Sequence, residues 1–149
     1  SSKNAKKSFV DHILNDAKKF RRFGVNMKEV GSPSLVDDVA KQTLAEIVNG
    51  RREPGIYHIA NSGGCTMFEW ASEIIKILGL PTELWKKDPA AFNRAALRPE
   101  SNMLVTEKLP PMRSWQEALA EFLRSEPGLR DEVFKANPIE EEKELSPRA

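Results

Sequence analysis

The sequence is poor in the residues that mark secreted and membrane proteins. It contains one cysteine, Cys65, so an internal disulfide cannot form. No apolar run is long enough to span a bilayer, and residues 1–10 are basic without the apolar segment of a secretory signal. These absences predict a chain that does not enter a membrane and that resides in the reducing cytoplasm.

The chain also lacks a strong net charge. Its 23 basic and 22 acidic residues give a formal net charge of +1 over 149 residues. A protein that binds nucleic acid or an anionic membrane surface normally carries a basic excess on one face. The balance therefore gives no reason to expect a nucleic-acid or membrane partner.

Several familiar catalytic and cofactor sites are absent from the sequence. The two histidines, His12 and His58, have no carboxylate or cysteine at metal-ligand spacing, which predicts no metal site. No Gly-x-Ser-x-Gly elbow is present. The eight glycines never form the G-x-G-x-x-G fingerprint of dinucleotide sites. The single tyrosine, Tyr57, is followed four places later by Asn61, so a Tyr-x-x-x-Lys pair is missing and we expect neither catalytic nor cofactor-binding residues.

The most informative stretch is PGIYHIANSGGCTMFEW, residues 54–70. A turn at residues 54–55 precedes a strand-like run over residues 56–60 and a glycine loop. Thr66 and Glu69 then have the spacing of a capping box, which predicts a helix over residues 67–78. The glycine loop of such a unit either binds a ligand or only connects the strand to the helix. Cys65 beside this helix start is either a reactive thiol or a small buried side chain.

Apolar spacing predicts the remaining elements. We expect helices over residues 5–23, 34–49 and 115–124, the second capped by Ser34 with Asp37 and the third by Ser114 with Glu117. Short strands are expected over residues 25–30 and 82–86, and a long loop over residues 87–99. Residues 1–125 are predicted to form the folded part. Residues 126–149, charged and rich in proline, are predicted to be a mobile tail with one helical turn near residues 131–136.

Three polar loops remain as the candidate binding surface: residues 32–34, 61–66 and 93–98. Two of them lead into predicted helix starts, where free backbone N–H groups favour anions. Arg94 and Arg98 in the third loop add donors suited to phosphate or carboxylate. An anionic ligand and a purely structural role for these residues both remain open.

The chain resembles the C-terminal half of the dTDP-4-dehydrorhamnose reductase family, a branch of the extended short-chain dehydrogenases/reductases. The resemblance lies in short motifs that occur in the family's order between residues 9 and 123. The motifs are SFV at residues 8–10, GSPS at 31–34 with DDVA at 37–40, GIYH at 55–58, Asn61 and Gly64 before the helix start at 66–71, ALRP at 96–99 and SWQEAL at 114–119. It departs from the family at Ser8, at Lys28-Glu29 and at Asn102.

The resemblance implies an α/β fold: the substrate-side part of a Rossmann-type reductase, mostly helical with a few short strands. It implies a nucleotide-sugar substrate contacted by Arg98, Arg94 and Ser34, and reduction of its C4 keto group by NADPH in the complete protein. The cofactor would be bound by a Rossmann half that this sequence lacks. The apolar faces of the first two helices would then be partly exposed.

The resemblance leaves three alternatives. The chain could be a non-catalytic sugar-nucleotide-binding or regulatory module, such as the methionine adenosyltransferase regulatory subunit of the same family. It could belong to a related epimerase or dehydratase. It could also be a stand-alone helical interaction domain. A homodimer is a further expectation.

Overall fold

The computed structural model describes residues 8–88 and 99–136. Their elements are short strands and longer helices, in agreement with the predicted mostly helical α/β class. In chain order they are α1 (Phe9–Lys19), β1 (Arg22–Asn26), β2 (Val30–Gly31), α2 (Val36–Gln42) continued by a π-helix (Thr43–Asn49), β3 (Cys65–Thr66), α3 (Met67–Leu78), β4 (Glu83–Lys87), α4 (Trp115–Ser125) and α5 (Leu129–Lys135).

Three helices begin at capping boxes. The predicted boxes Thr66–Glu69 and Ser114–Glu117 start α3 and α4, and α3 has the predicted bounds. A third box, formed by Ser8 and Asp11, starts α1 and was not predicted. In each box the hydroxyl accepts a backbone N–H of the first turn while the carboxylate accepts the N–H of the cap residue.

The first helix ends earlier than predicted. It stops at Lys19, and Phe20 is extended with φ −129° and ψ 138°. Residues 22–26 instead form β1, parallel to β4 in a register that pairs Arg22 with Glu83 and Asn26 with Lys87. Gly24 therefore lies in a strand and does not end the helix. The prediction of a strand over residues 25–30 was displaced by three residues, whereas the strand predicted at 82–86 is confirmed as β4.

The core lies between α1, α3, α4 and the β1–β4 pair. Its buried apolar side chains include Ile13, Leu14, Phe23, Ile74 and Leu119. Four apolar residues of α1 are buried and Phe9 is half-buried, so the expectation that the apolar face of this helix is partly exposed holds only at Phe9. The predicted helical turn near residues 131–136 is confirmed as α5, which packs on α1 with Val133 in the core. The boundary at residue 125 stays a prediction.

The second helix is continuous but changes geometry. An α-helical part over Val36–Gln42 runs into the π-helix Thr43–Asn49, and no residue of either part is buried. The hydroxyl of Thr43 donates to the carbonyl of Val39 at 2.7 Å near the junction. The side chains of Val36, Leu44 and Val48 are 77, 56 and 60% exposed. This confirms the expected exposure of the second helix.

Residues 56–60 do not form the predicted strand. They belong to no helix or strand of the described chain, although their composition favours a strand. A strand is stable only when its backbone groups are paired with a neighbour. The failure of this prediction therefore reflects a missing partner strand.

Candidate functional site

The polar loop at residues 32–34 borders a cleft of about 450 Å³. The lining comes from the starts of α1 and α2 and from α3 and α4. The lining residues are Ser8, Val10, Pro33, Ser34, Leu35, Val36, Asp37, Trp70, Trp115, Ala118, Leu119, Glu121, Phe122, Ser125 and Glu126. A cleft of this volume suits a small organic ligand.

Ser34, a predicted substrate contact, lines this cleft but does not cap α2. The cap residue of α2 is Leu35, which has no side-chain cap bond. The hydroxyl of Ser34 instead donates to the carbonyl of Ser32 at 3.2 Å and accepts the backbone N–H of Asn61 at 3.1 Å. The predicted capping role was wrong because Asn61 lies close enough to use the hydroxyl. Whether Ser34 also contacts substrate stays a prediction.

Asn61 does not line the cleft, but its side chain connects segments beside it; the sequence marked it as a loop residue and as part of a family motif. Its side chain is buried, with 1% of its surface exposed. The Oδ1 atom accepts the backbone N–H of Leu35 at 2.9 Å, which satisfies a free donor at the start of α2. The Nδ2 group donates to Asp38 Oδ2 at 2.8 Å and to the carbonyl of Arg113 at 3.3 Å. One amide therefore ties three separate stretches of chain together.

Asp38 and Arg113 extend this connection. Arg113 Nε and Nη2 donate to the two carboxylate oxygens of Asp38 at 2.7 and 2.8 Å, and Arg113 Nη1 donates to Glu121. The hydrogen bonds from Arg113 hold the pKa of the Asp38 carboxyl below its ordinary value, and Asn61 adds to this effect. The same guanidinium lowers the pKa of Glu121, and the two carboxylates raise the pKa of Arg113.

Ser62 fixes the neighbouring loop to the start of α4. Its backbone N–H donates to the carbonyl of Arg113 at 2.9 Å, and its carbonyl accepts the N–H of Trp115 at 3.0 Å. The hydroxyl of Ser62 also donates to the carbonyl of Met112. The loops at residues 32–34 and 61–66 were predicted to converge, and the structure brings them together. The loop with Arg94 and Arg98 lies outside the described residues.

The charge of the cleft disagrees with the anionic ligand considered from sequence. Asp37, Glu121 and Glu126 line it, and its described lining contains no lysine, arginine or histidine. A diphosphate is bound most strongly by cationic donors, and the described lining of the cleft supplies none. Any charge neutralisation would have to come from residues such as Arg94 and Arg98.

The walls of the cleft are suited to a neutral group. Trp70 and Trp115 supply aromatic surface, and Phe9 stacks on Trp70 with ring centroids 4.4 Å apart. The indole N–H of Trp70 is buried and has no acceptor among the described residues. Aromatic surface with a few polar groups can hold a ring that has apolar faces and hydroxyl edges.

The other candidate groups do not form a site. Cys65 is buried, and burial raises the pKa of its thiol to about 12, with a smaller contribution from the Glu69 carboxylate. The reactive-thiol alternative is therefore wrong.

His12 and His58 are exposed. No group of three metal-ligating side chains occurs within residues 8–88 and 99–136. Over those same residues, no helix has the length and apolar character needed to cross a bilayer.

The described residues do not fit a dinucleotide cofactor either. Its pyrophosphate needs a glycine-rich turn at a helix start, and neither the sequence nor the acidic cleft supplies one.

A family model and two related sequences show which proteins this chain resembles. Residues 2–126 match the family described as the RmlD substrate binding domain. The chain is 30% identical over 121 residues to the spore coat polysaccharide biosynthesis protein SpsK of Bacillus subtilis strain 168, which covers 78% of this chain and 42% of that protein. It is 34% identical over 99 residues to the dTDP-4-dehydrorhamnose reductase of Mycolicibacterium smegmatis, covering 61% of this chain and 29% of the relative.

The solved structures that resemble this chain are also dTDP-4-dehydrorhamnose reductases. A dTDP-4-dehydrorhamnose reductase ortholog of Clostridium acetobutylicum superposes with a TM-score of 0.73 at 25% identity, over 80% of this chain and 44% of that one. The Bacillus anthracis reductase, solved in complex with NADP, gives a TM-score of 0.72 at 23% identity, over 82% and 44%. The chain thus spans less than half the length of these relatives. It belongs to the RmlD substrate binding domain family, the C-terminal substrate-binding part of dTDP-4-dehydrorhamnose reductases.

Proposed function

We propose that this chain is the substrate-binding part of an NADPH-dependent reductase that reduces the C4 keto group of a nucleotide sugar. The observation that carries the proposal is the family match over residues 2–126. The geometry supports it because Asn61 hydrogen-bonds to the start of α2, next to the loop at residues 32–34 that lines a cleft of ligand size. The name of the Bacillus subtilis relative, a polysaccharide biosynthesis protein, fits the same chemistry.

Two groups of residues would bind the two parts of the substrate, the sugar ring and the diphosphate. The aromatic and acidic cleft would accept the sugar ring, since it offers stacking surface and hydrogen-bond acceptors but no described cation. Arg98 and Arg94 would neutralise the diphosphate. Ser34 would act at the cleft edge, where its hydroxyl already holds the Asn61 loop in place.

The remaining half of the reductase would supply the NADPH site and the proton donor. Support comes from the Bacillus anthracis structure, which contains NADP, and from the poor fit of this chain's residues to a dinucleotide. A cytoplasmic location and a homodimer of the complete enzyme belong to the same proposal. The single free cysteine fits the reducing cytoplasm.

Binding of dTDP-rhamnose to the purified chain tests the proposal. We expect ligand-observed NMR to detect binding, and Arg98→Ala to weaken it about tenfold because a charged hydrogen-bond donor is lost. Arg98→Lys should recover part of the loss, since it restores the charge but not the forked geometry. Arg51→Ala, a change in an exposed turn, serves as the matched control and should bind as the unmodified chain does.

Two outcomes with the isolated chain would contradict the proposal, and one with the complete protein would favour an alternative. One is the absence of binding to any dTDP sugar, which would favour an interaction domain. The other is oxidation of NADPH by the 149-residue chain alone, which would mean that the catalytic groups are not elsewhere. Binding of the sugar nucleotide by a complete protein that never oxidises NADPH would favour the regulatory module.

A further inference from the structure

One face of α4 contributes both apolar and charged side chains to the cleft. Ala118, Glu121 and Ser125 follow one another at intervals of three and four residues, which places them on the same face of a helix. All three line the cleft, and Glu121 is the carboxylate among them. A ring held in the cleft therefore lies beside this carboxylate.

Glu121 is held in place by a neighbouring cation. Arg113 Nη1 donates to its Oε2 atom, while Arg113 Nε and Nη2 donate to the two carboxylate oxygens of Asp38 at 2.7 and 2.8 Å. Asp38 accepts a further hydrogen bond from the buried amide of Asn61. A guanidinium fixed in this forked geometry gives the carboxylate beside it a defined direction. The orientation of Glu121 is thus set by residues that do not line the cleft themselves.

The other two acidic residues of the cleft lack such support. The side chains of Asp37 and Glu126 form no hydrogen bond or ion pair with another residue of the described chain. Ordering an unrestrained side chain on binding costs entropy, and a carboxylate already held in one orientation avoids most of that loss. Of the three carboxylates, Glu121 is therefore the one best prepared to receive a ligand group.

The same cation decides which chemical group Glu121 suits. The hydrogen bond from Arg113 lowers the pKa of the Glu121 carboxyl, so the group stays ionised and acts as an acceptor. Its Oε1 atom accepts no hydrogen bond from the described residues. Because Arg113 already compensates the negative charge, the attraction for a second cation is reduced. A neutral hydroxyl donor fits this carboxylate better than an ammonium group does.

We propose that Glu121 is a specificity-determining residue of the sugar site, whose carboxylate accepts a hydrogen bond from a ring hydroxyl of the nucleotide sugar. Arg113 is the positioning residue that holds it in this orientation. Trp115 and Phe122 line the cleft from the same helix and supply the apolar surface against which the ring lies. The inference rests on the proposed function for the identity of the ligand as a nucleotide sugar.

A comparison of dTDP with dTDP-rhamnose isolates the contribution of the sugar. Both are titrated into the 149-residue chain and followed by ligand-observed NMR. The ratio of their two dissociation constants is the gain in affinity that the sugar provides. We expect Glu121→Gln to reduce this gain about tenfold, because a charged acceptor is lost. The affinity for dTDP alone should stay unchanged, which shows in the same sample that the variant is folded.

Glu73→Gln is the matched control. Glu73 is a carboxylate on α3 that is also paired with a cation, Lys76 at 3.3 Å, but it does not line the cleft. Its replacement should leave the gain from the sugar as it is in the unmodified chain.

A double variant tests the positioning role of Arg113. Arg113→Lys keeps the positive charge but loses the forked geometry, so it should also reduce the gain from the sugar. Combined with Glu121→Gln it should cause no further reduction, because Arg113 affects the sugar only through Glu121. A merely structural role of Arg113 would instead weaken the binding of dTDP and of dTDP-rhamnose equally.

Four results would overturn the inference and leave the proposed function intact. They are an unchanged gain in Glu121→Gln, an equal loss in Glu73→Gln, weaker binding of dTDP itself by Glu121→Gln, and a Glu121-dependent preference for a dTDP-linked amino sugar over dTDP-rhamnose. The last would make the recognised group an ammonium. If the unmodified chain binds neither ligand, the proposed function and this inference are both contradicted.

Discussion

The side-chain amide of Asn61 lies 2.8 Å from Oδ2 of Asp38, and Arg113 donates hydrogen bonds to both oxygens of the same carboxylate. Residues 38, 61 and 113 belong to three separate loops or helix starts. A buried amide that uses both its donor and its acceptor atoms specifies one arrangement of those segments. The hydrogen bonds among these three residues therefore fix the shape of the neighbouring cleft. We expect the three residues to contribute to ligand binding only indirectly, through that shape.

Replacing Asn61 with alanine should destabilise the chain by about 2–3 kcal/mol, because buried partners lose their hydrogen bonds. Asn61→Asp should be worse at neutral pH, since a second carboxylate would face Asp38. Asn102→Ala, at an exposed asparagine, is the matched control and should change the free energy of unfolding by less than about 0.5 kcal/mol. Urea unfolding followed by tryptophan fluorescence measures all three. Equal losses at positions 61 and 102 would contradict the central role of Asn61.

The Asp38–Arg113 pair should make stability depend on pH in the acid range. Arg113 lowers the pKa of Asp38 in the folded chain, so the unfolded chain takes up the proton first. The stabilisation is complete above the ordinary value of 3.8 and is lost as pH falls through the lower folded value.

The test compares the free energy of unfolding between about pH 4 and pH 2. Asp38→Asn should flatten the decline, because the titrating carboxylate is gone. Asp37→Asn removes a neighbouring exposed carboxylate and should leave the decline as it is in the unmodified chain. A decline that persists unchanged in Asp38→Asn would show that other acidic groups control it.

The sequence was sufficient for two of the three predicted capping boxes, whose determinants are local. The boxes at Thr66–Glu69 and Ser114–Glu117 act over three residues, and both helices start where they were predicted. The strand β1 was misplaced because its position depends on pairing with β4, about sixty residues away. Residues 56–60 have strand-forming side chains but no ladder partner within the described chain.

The candidate site also depends on contacts between residues that are far apart in the sequence. Ser34 was predicted to contact substrate, which stays a prediction, and its hydroxyl bonds to Asn61, 27 residues away. Arg113 was missed altogether, because its pairing with Asp38 joins positions 75 residues apart. No local spacing signals such a pair, and it follows only from the packing of α2 against the start of α4.

Gly24 is required by close approach and not by a turn. A Cβ at this position would lie 2.6 Å from Nε1 of Trp85, whose indole crosses the neighbouring strand. Gly24→Ala should therefore destabilise the chain by about 1–3 kcal/mol. Gly55→Ala is the control, since its nearest neighbouring atom would be 3.7 Å away. In a double-mutant cycle with Trp85→Ala, the loss of unfolding free energy caused by Gly24→Ala should largely disappear. If the loss remains, the added methyl group clashes with a residue other than Trp85.

Cys65 should behave as an inert core residue at neutral and mildly alkaline pH. With its pKa raised to about 12 by burial, its thiolate fraction at pH 8 is about a thousandfold below that of an exposed thiol. We expect the folded chain to react with iodoacetamide at least about a thousandfold more slowly than the chain in urea. Thr82→Cys, in a variant whose Cys65 is replaced by alanine, supplies a thiol outside the core as the matched control and should react quickly in both states. Rapid labelling of Cys65 in the folded chain would contradict its burial and reopen a chemical role for the loop before α3.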